Sequence, residues 1–318
     1  MNKDKTESDQ IILATGGYDH TIKLWQTHTG ICQRTMQHGE SQINALKITP
    51  DKKHLTTASY QHIYMYDLTS NNQNAIINYE GTSKNVTCVG FNADGRWMYS
   101  GGEDGRARIW DIRSRNNSSC PKIFEVQAPI TCICLHPNQV ELFMGDQNGV
   151  IYRWDLRTNT FEELIPEPDA MILDLDIDAT CNYMASVNNK GRCYIWSLEY
   201  GSTDTPTNLQ PKHKFEAHKK HALKCNFSPN SEYLITTSAD QTAKIWSVPN
   251  FTLLQELKQD SQRWVWDAAF SADSQYVFTA SSDCYARLWN VNTGVMERHY
   301  AGHQKAVTAL ALMDVAAS

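Results

Sequence analysis

The sequence predicts an all-β fold, a seven-bladed β-propeller, and two observations carry that prediction. A short strand ending in an aromatic residue recurs seven times, at Trp25, Tyr66, Trp110, Trp154, Trp196, Trp246 and Trp289. Six residues before each aromatic stands an Asp or a residue in its place: Asp19, Tyr60, Asp104, Asn148, Lys190, Asp240 and Asp283. A single such pair would mean little, whereas seven in phase define a repeat.

The aromatics are spaced 41, 44, 44, 42, 50 and 43 residues apart, close to the roughly 40–45 residues of a WD repeat. In order, the units read "GGYDHTIKLWQT", "ASYQHIYMYDL", "GGEDGRARIWDI", "GDQNGVIYRWDL", "VNNKGRCYIWSL", "TSADQTAKIWSV" and "ASSDCYARLWNV". Runs such as "TIKLW" and "YARLW" are β-branched and aromatic, which suits a pleated, half-buried surface. Gly, Asn and Asp gather just before them, as tight turns require. Upstream lies a further strand in each unit, as in "RWMYSGG", "EYLITTS" and "QYVFTAS", itself preceded by "NADG", "SPNS" or "SADS". An outer strand such as "GICQRTMQH" follows. Four strands per unit and seven units around a channel make the propeller.

The first unit lacks its inner strand, because "IILATGG" aligns with the second strand of the others. Near the far end, "GHQKAVTALALMDV" aligns with the inner strands "NVTCVGF" and "APITCICL". Ala306–Met313 should therefore complete the first blade, pair around Ile11–Thr15 and bury Val307, Leu310 and Leu312. Such closure removes the sheet edges that would invite aggregation. Residues 1–10 are expected to be disordered, and 11–318 to form the propeller.

The repeated polar residues read as scaffold. In WD repeats a His, a Ser or Thr, an Asp and a Trp form a hydrogen-bonded set. The sixth unit supplies it as His218, Ser238, Asp240 and Trp246. Elsewhere the set is eroded, with Gly17 or Gly102 in the Ser position and Lys190 in the Asp position. A catalytic Asp–His pair is the alternative, but no nucleophile recurs with it. His213, His218 and His221 lack the clustered cysteine or carboxylate that a metal site needs. "GGEDGR" lacks the Gly-Lys-Ser/Thr ending of a phosphate loop. No enzyme, metal or cofactor is expected.

Composition narrows the class further. The net charge of −6 argues against a nucleic-acid binder, and "KHKFEAHKKH" at 212–221 reads as a solvated basic loop. "MNKDKTESDQ" has no apolar core for a signal peptide, and no run is long enough to insert in a membrane. Nine cysteines without a CxxC pair suit free thiols in a reducing compartment. Cys132 and Cys134 alternate on one strand as small core residues. The Asn-X-Ser/Thr matches at Asn85, Asn116, Asn117, Asn226 and Asn250 are then coincidental. A soluble, cytoplasmic protein is expected.

A protein of this kind works through its surfaces. In a propeller one face combines the Asp turns with the loops entering each inner strand. Gln42, Lys84, Asn85, Pro129, Met171, His221, Trp264, Trp266 and Lys305 should lie there. Trp264 and Trp266 stand out because neither is a repeat anchor. Either both pack against the neighbouring blade, or at least one is exposed as an interface anchor.

Several strings go beyond what a propeller demands: "GGYDHTIKLWQTHTGIC", "SQINALKITPDK", "YQHIYMYDL", "DGRWMYSGGEDGRARIWDIRSRN", "LHPNQVEL", "LIPEPD", "SADQTAKIW" and "AGHQKAV". From about residue 11 to about 313 the chain resembles the small WD-repeat subunit of the target-of-rapamycin (TOR) kinase complexes, the G-protein-β-subunit-like or LST-eight family. That family keeps a Tyr where "YQHIYMYDL" has Tyr66. The resemblance implies a non-catalytic subunit shared by TOR complexes 1 and 2. It would cap an insertion in the C-terminal lobe of the kinase, support its active form in growth and nutrient signalling, and contact accessory subunits. It also implies a peripheral place on endomembranes through the kinase complex. The chain departs from the family pattern in a short polar segment before "RWVW", beside the presumed interface of Gln42, Trp264 and Trp266. The competing reading comes from "WDIR" (110–113) and "WDLR" (154–157), the signature of substrate receptors for cullin-type ubiquitin ligases. A G-protein β subunit proper would want a long N-terminal helix, which the first ten polar residues do not supply.

Overall fold

Among the described residues, alternation of short β-branched runs with turn residues produces 28 strands, which pair into seven four-stranded antiparallel sheets. The computed structural model describes residues 11–39, 41–113, 120, 122–199 and 206–314. The expected disordered segment 1–10 and the motifs at Asn116 and Asn117 lie outside the described residues. Blades are numbered here by their aromatic anchor. Their inner strands, from blade 1 to blade 7, are Val307–Met313, Ile43–Ile48, Val86–Phe91, Ile130–Leu135, Ile172–Ile177, Ala222–Phe227 and Val265–Phe270.

The turn before each anchor strand explains the repeated Asp. The residue after it has a positive φ in every blade: His20 (59°), Gln61 (60°), Gly105 (74°), Gly149 (90°), Gly191 (80°), Gln241 (74°) and Cys284 (74°). The Asp side chain stabilises that bend by accepting the N–H two residues on. This occurs at Asp19 with Thr21 (3.2 Å), Asp104 with Arg106 (3.1 Å), Asp240 with Thr242 (3.0 Å) and Asp283 with Tyr285 (3.3 Å).

Each blade is apolar on both faces, so the core forms seven separate layers between neighbours. The anchor of each blade packs toward the preceding blade; Trp25, for example, meets Tyr300 of blade 7 edge-on at 5.7 Å. All seven anchors are buried to 7 % exposure or less. The spacing of 50 residues before Trp246 is taken up by the longest hairpin, Arg192–Glu199 with Asn208–Glu216.

Closure is as the sequence implies. Val307–Met313 pairs antiparallel with Ile12–Gly17, with Leu13 opposite Leu312 and Thr15 opposite Leu310. Val307 and Leu310 are buried and Leu312 half-buried against blade 7, while Ala309 and Ala311 face blade 2. Gly17 is required at the seam, since a Cβ there would sit 2.0 Å from the carbonyl oxygen of Ala306. The inner strands are also stitched to one another around a channel of about 690 Å³. Thr308 donates to Ile43 O (2.6 Å), Asn44 to Val86 O (2.9 Å), Thr87 to Ile130 O (2.8 Å) and Thr131 to Ile172 O (2.5 Å). Asp174 accepts the Cys225 N–H (3.0 Å), and Asp267 accepts that of Leu310 (2.9 Å).

The hydrogen-bonded set of blade 6 differs from expectation in one member. The Trp246 indole N–H donates to Thr236 Oγ1 (2.9 Å), which bonds His218 Nε2 (2.8 Å), while His218 Nδ1 lies 3.0 Å from Asp240. Ser238 is not in this chain; its hydroxyl donates to His221 O (2.8 Å) and accepts the Asp240 N–H (2.9 Å). The reason is register. Trp246 lies opposite Leu234, so Thr236 is one diagonal away and Ser238 is two residues further along the strand. The same correction restores blade 1, where Gly17 had seemed to erode the set. Trp25 donates to Thr15 (2.7 Å), Thr15 bonds His303 (2.7 Å) and His303 meets Asp19 (2.9 Å).

Other blades keep the tie between turn and entering loop with different residues. In blade 3, Arg108 joins Asp104 (2.7 Å) to Gly81 O (3.0 Å). In blade 5 the polarity is reversed, with Lys190 in the turn paired to Glu167 of the entering loop (3.1 Å). In blade 2 the anchor rather than the turn is tied to the entering loop, with Tyr66 Oη 2.9 Å from His38.

Two outcomes test this account. Ending the chain at Lys305 should remove several kcal/mol of stability, because each large apolar side chain buried contributes about 1.5–3 kcal/mol; unchanged melting would refute the seam. The second concerns Asp240. Burial alone would raise its pKa, but the hydrogen bond and charge of His218, with Thr242 and the Lys219 N–H, hold it well below the usual carboxylate value. Its charge therefore stabilises the fold above the unfolded pKa of about 3.9, and that contribution fades as pH falls below it. Asp240→Asn should cost about 1–3 kcal/mol at pH 7, with the gap to wild type closing below about pH 4 in urea titrations.

Candidate protein-interaction face

The Asp turns and the entering loops do meet on one face, through a backbone hydrogen bond repeated around the ring. The N–H just past each second strand donates to the carbonyl just before the inner strand. The pairs are Tyr18 to Ala306 (2.9 Å), Glu103 to Asn85 (2.9 Å), Gln147 to Pro129 (3.0 Å), Asn189 to Met171 (3.1 Å), Ala239 to His221 (3.0 Å) and Ser282 to Trp264 (2.9 Å). Blade 2 departs because its turn is one residue shorter: Tyr66 pairs eleven residues back with Leu55, whereas Trp25 pairs twelve back with Leu13. Its Gln61 N–H reaches Lys84 O (3.1 Å), in the loop entering blade 3.

This face holds the residues singled out from sequence. The Trp264 backbone is fixed by Ser282, yet its side chain is 40 % exposed. Trp266 is half-buried at the channel mouth, its indole N–H donating to Ser282 Oγ at 2.6 Å. The two rings lie 5.5 Å apart, so one tryptophan supports the other. Gln42 is half-buried just before the inner strand of blade 2, with blade 1 between it and the tryptophans. The face therefore carries all three residues without bringing Gln42 into a cluster with the other two.

Two further residues join them. Tyr18 (41 %) and Tyr60 (49 %) are exposed in the turns of blades 1 and 2. With Trp264 they give three consecutive blades, 7, 1 and 2, one exposed aromatic each on the same face. Their signal in the sequence is chemical: turns favour Gly, Asn and Asp, and an aromatic there serves no scaffold purpose.

Elsewhere the candidate chemistry is occupied. Both ring nitrogens of His218 are bonded, to Asp240 and Thr236. His213 stacks on Phe251 at 5.5 Å, and His221 bonds Asn189 O. Among the described residues, no three His, Cys, Asp or Glu side chains are grouped to hold a metal ion. None of the nine cysteines is joined to another in a disulfide. Arg113 and Arg157 fold back on Asp111 (3.4 Å) and Asp155 (3.0 Å).

Comparison with known proteins now bears on this geometry. The WD domain, G-beta repeat model matches residues 6–26, 30–67, 73–111, 209–247 and 251–290. Blade 4 and the first three strands of blade 5 lie outside these matches, and they carry Asn148 and Lys190 in the Asp position. A mouse protein named target of rapamycin complex subunit LST8 is 57 % identical over 314 residues, covering 96 % of each chain. The chain belongs to the LST8 family. Its members also include the LST8 homolog of Drosophila melanogaster, 50 % identical over 97 % of this chain and 98 % of its own. The Saccharomyces cerevisiae target of rapamycin complex subunit LST8 is 43 % identical over 96 % of this chain and 99 % of its own.

The two tryptophans should separate in stability measurements. Trp264→Ala should shift unfolding by no more than about 1 kcal/mol, as surface substitutions do. Trp266→Phe, which leaves Ser282 unpaired, should cost about 0.5–1.5 kcal/mol. Denaturant titration of the two variants checks this ordering.

Proposed function

We propose that the chain is a non-catalytic scaffold subunit of TOR complexes 1 and 2, binding the C-terminal kinase lobe and supporting the active form of the kinase in growth and nutrient signalling. The anchor is the face bearing Gln42, Trp264 and Trp266, extended across blade 1 by Tyr18 and Tyr60. The observation that carries the reading is the arc of exposed aromatics on blades 7, 1 and 2, each on a backbone held in place by the ring. Rigid, exposed Trp and Tyr side chains are the residue types that dominate interface energetics, and exposing them in series is costly unless a partner covers them. The names of the mouse and yeast relatives support the identity of that partner.

The same geometry supports the non-catalytic reading. The recurring Asp and His or Arg are consumed in holding turns to loops, and the imidazole of His218 has no free nitrogen with which to move a substrate proton. Other subunits of the two complexes contact the remaining surface. The protein is cytoplasmic and reaches endomembranes through the kinase complex. The ligase reading gains no support, since the WDxR arginines lie against their own aspartates.

Recovery of the kinase by tagged full-length protein tests the reading. A hot-spot truncation costs about 2 kcal/mol, roughly a thirtyfold loss of affinity. Trp264→Ala with Tyr60→Ala should therefore melt near wild type yet fail to recover the kinase, while Arg113→Ala with Arg157→Ala should recover it normally. Normal recovery by the aromatic variant would place the interface elsewhere.

A further inference from the structure

Between the outer strands of blades 3 and 4 lies a cleft of about 450 Å³ lined by aromatic and carboxylate side chains. Its wall comes from cross-strand register: Trp154 lies opposite Phe161 and Tyr152 opposite Glu163, so these side chains share one face of blade 4. Phe124 of blade 3 stacks on Trp154 at 5.3 Å and meets Phe161 (5.2 Å) and Tyr152 (5.9 Å) edge-on. Phe161 nonetheless remains 52 % exposed.

Carboxylates complete the lining. Asp146 is buried; one of its oxygens accepts the N–H groups of Asn148 (2.9 Å) and Val150 (2.8 Å), and the other accepts only the Tyr152 hydroxyl (3.2 Å). Glu163 is exposed and has no ion pair among the described residues. Glu125, at the mouth, is paired with Arg106 at 2.8 Å. Among the described residues, no basic side chain lines the cleft itself. An aromatic wall alone would suit any apolar group, and carboxylates alone would be a solvated edge. Enclosed together, they match a cation carried on an apolar stem, which rings hold through cation–π attraction and carboxylates through charge.

We propose that this cleft receives a lysine or arginine side chain of a protein partner, its cation against Phe124 and Phe161 and its charge met by Glu163 and Asp146. The site opens at the outer edge of the interaction face between blades 3 and 4, where Val126, Gln127 and Ala128 of the entering loop and the turn residue Asn148 help line it, away from the aromatic arc of blades 7, 1 and 2, so both can be occupied together. It stands independently of the kinase reading.

Aromatic NMR of the full chain, titrated with N-acetyl-arginine-N-methylamide and separately with its uncharged citrulline counterpart, tests the chemistry. Saturable shifts at Phe124, Tyr152 and Phe161 are expected with the arginine compound alone. Glu163→Lys, an exposed substitution, should weaken them about tenfold or more, and Phe161→Ala should do the same without altering charge. Equal shifts with citrulline, or no saturation, would overturn the proposal. The source is tested with a photo-crosslinking phenylalanine at position 161 in the protein purified within its native assembly. A cross-link mapped to a peptide of another protein at a basic residue supports the proposal. Cross-links confined to this chain or to a second copy of it would refute it.

Discussion

A twisted antiparallel sheet of four strands that is apolar on both faces cannot be half-covered. Each blade needs a neighbour on either side, and a row of blades always leaves two apolar faces bare unless the row becomes a ring. Seven blades with seven layers of core between them satisfy this requirement. The anchors are large because each must fill the wedge between two radiating sheets, narrow near the channel and wide at the rim. The inner strands are stitched by Thr and Asn side chains because their spacing near the axis leaves room for a hydrogen bond rather than a ring.

Within that ring, the polar ties vary more freely than the apolar ones. One task recurs, fastening the tight turn to the loop that enters the inner strand. His performs it in blades 1 and 6, Arg in blade 3, and a reversed Lys–Glu pair in blade 5, while Arg287 of blade 7 braces the turn against its own strand. Any single hydrogen bond contributes about 0.5–1.5 kcal/mol, less than a buried aromatic. Exchange of the partners therefore leaves the architecture intact while erasing the sequence pattern, as at Lys190.

This difference explains what was legible in the sequence. The blade count, the anchors and the seam could be read because they depend on apolar periodicity along the chain. Thr236 was missed in favour of Ser238 because membership of the hydrogen-bonded set depends on cross-strand register, which spacing from Asp240 does not reveal. The set in blade 1 escaped notice because its histidine, His303, arrives from the other end of the chain, 288 residues from Thr15. At the interaction face, Trp264 was legible as a tryptophan without a scaffold role. Tyr18 and Tyr60 stand in turns, where the repeat pattern marks only the Asp position, which Tyr60 occupies. The rim cleft was invisible for a further reason: Phe124 and Phe161 meet only when two blades are set side by side.

The shared blade has a bearing on how the molecule comes into being. As the chain leaves the ribosome, its first three strands emerge early with no inner strand to complete their sheet and no seventh blade to cover Leu13 and Trp25. Every later blade can pair locally with what has just been made, but this one must wait until residue 313 is free. Contacts of such long separation form slowly, and an incomplete sheet with an open edge is the kind of surface that captures other chains. Biogenesis thus has a hazardous interval, lasting from the emergence of Leu13 to that of Met313, during which the nascent first blade depends on being shielded from its surroundings.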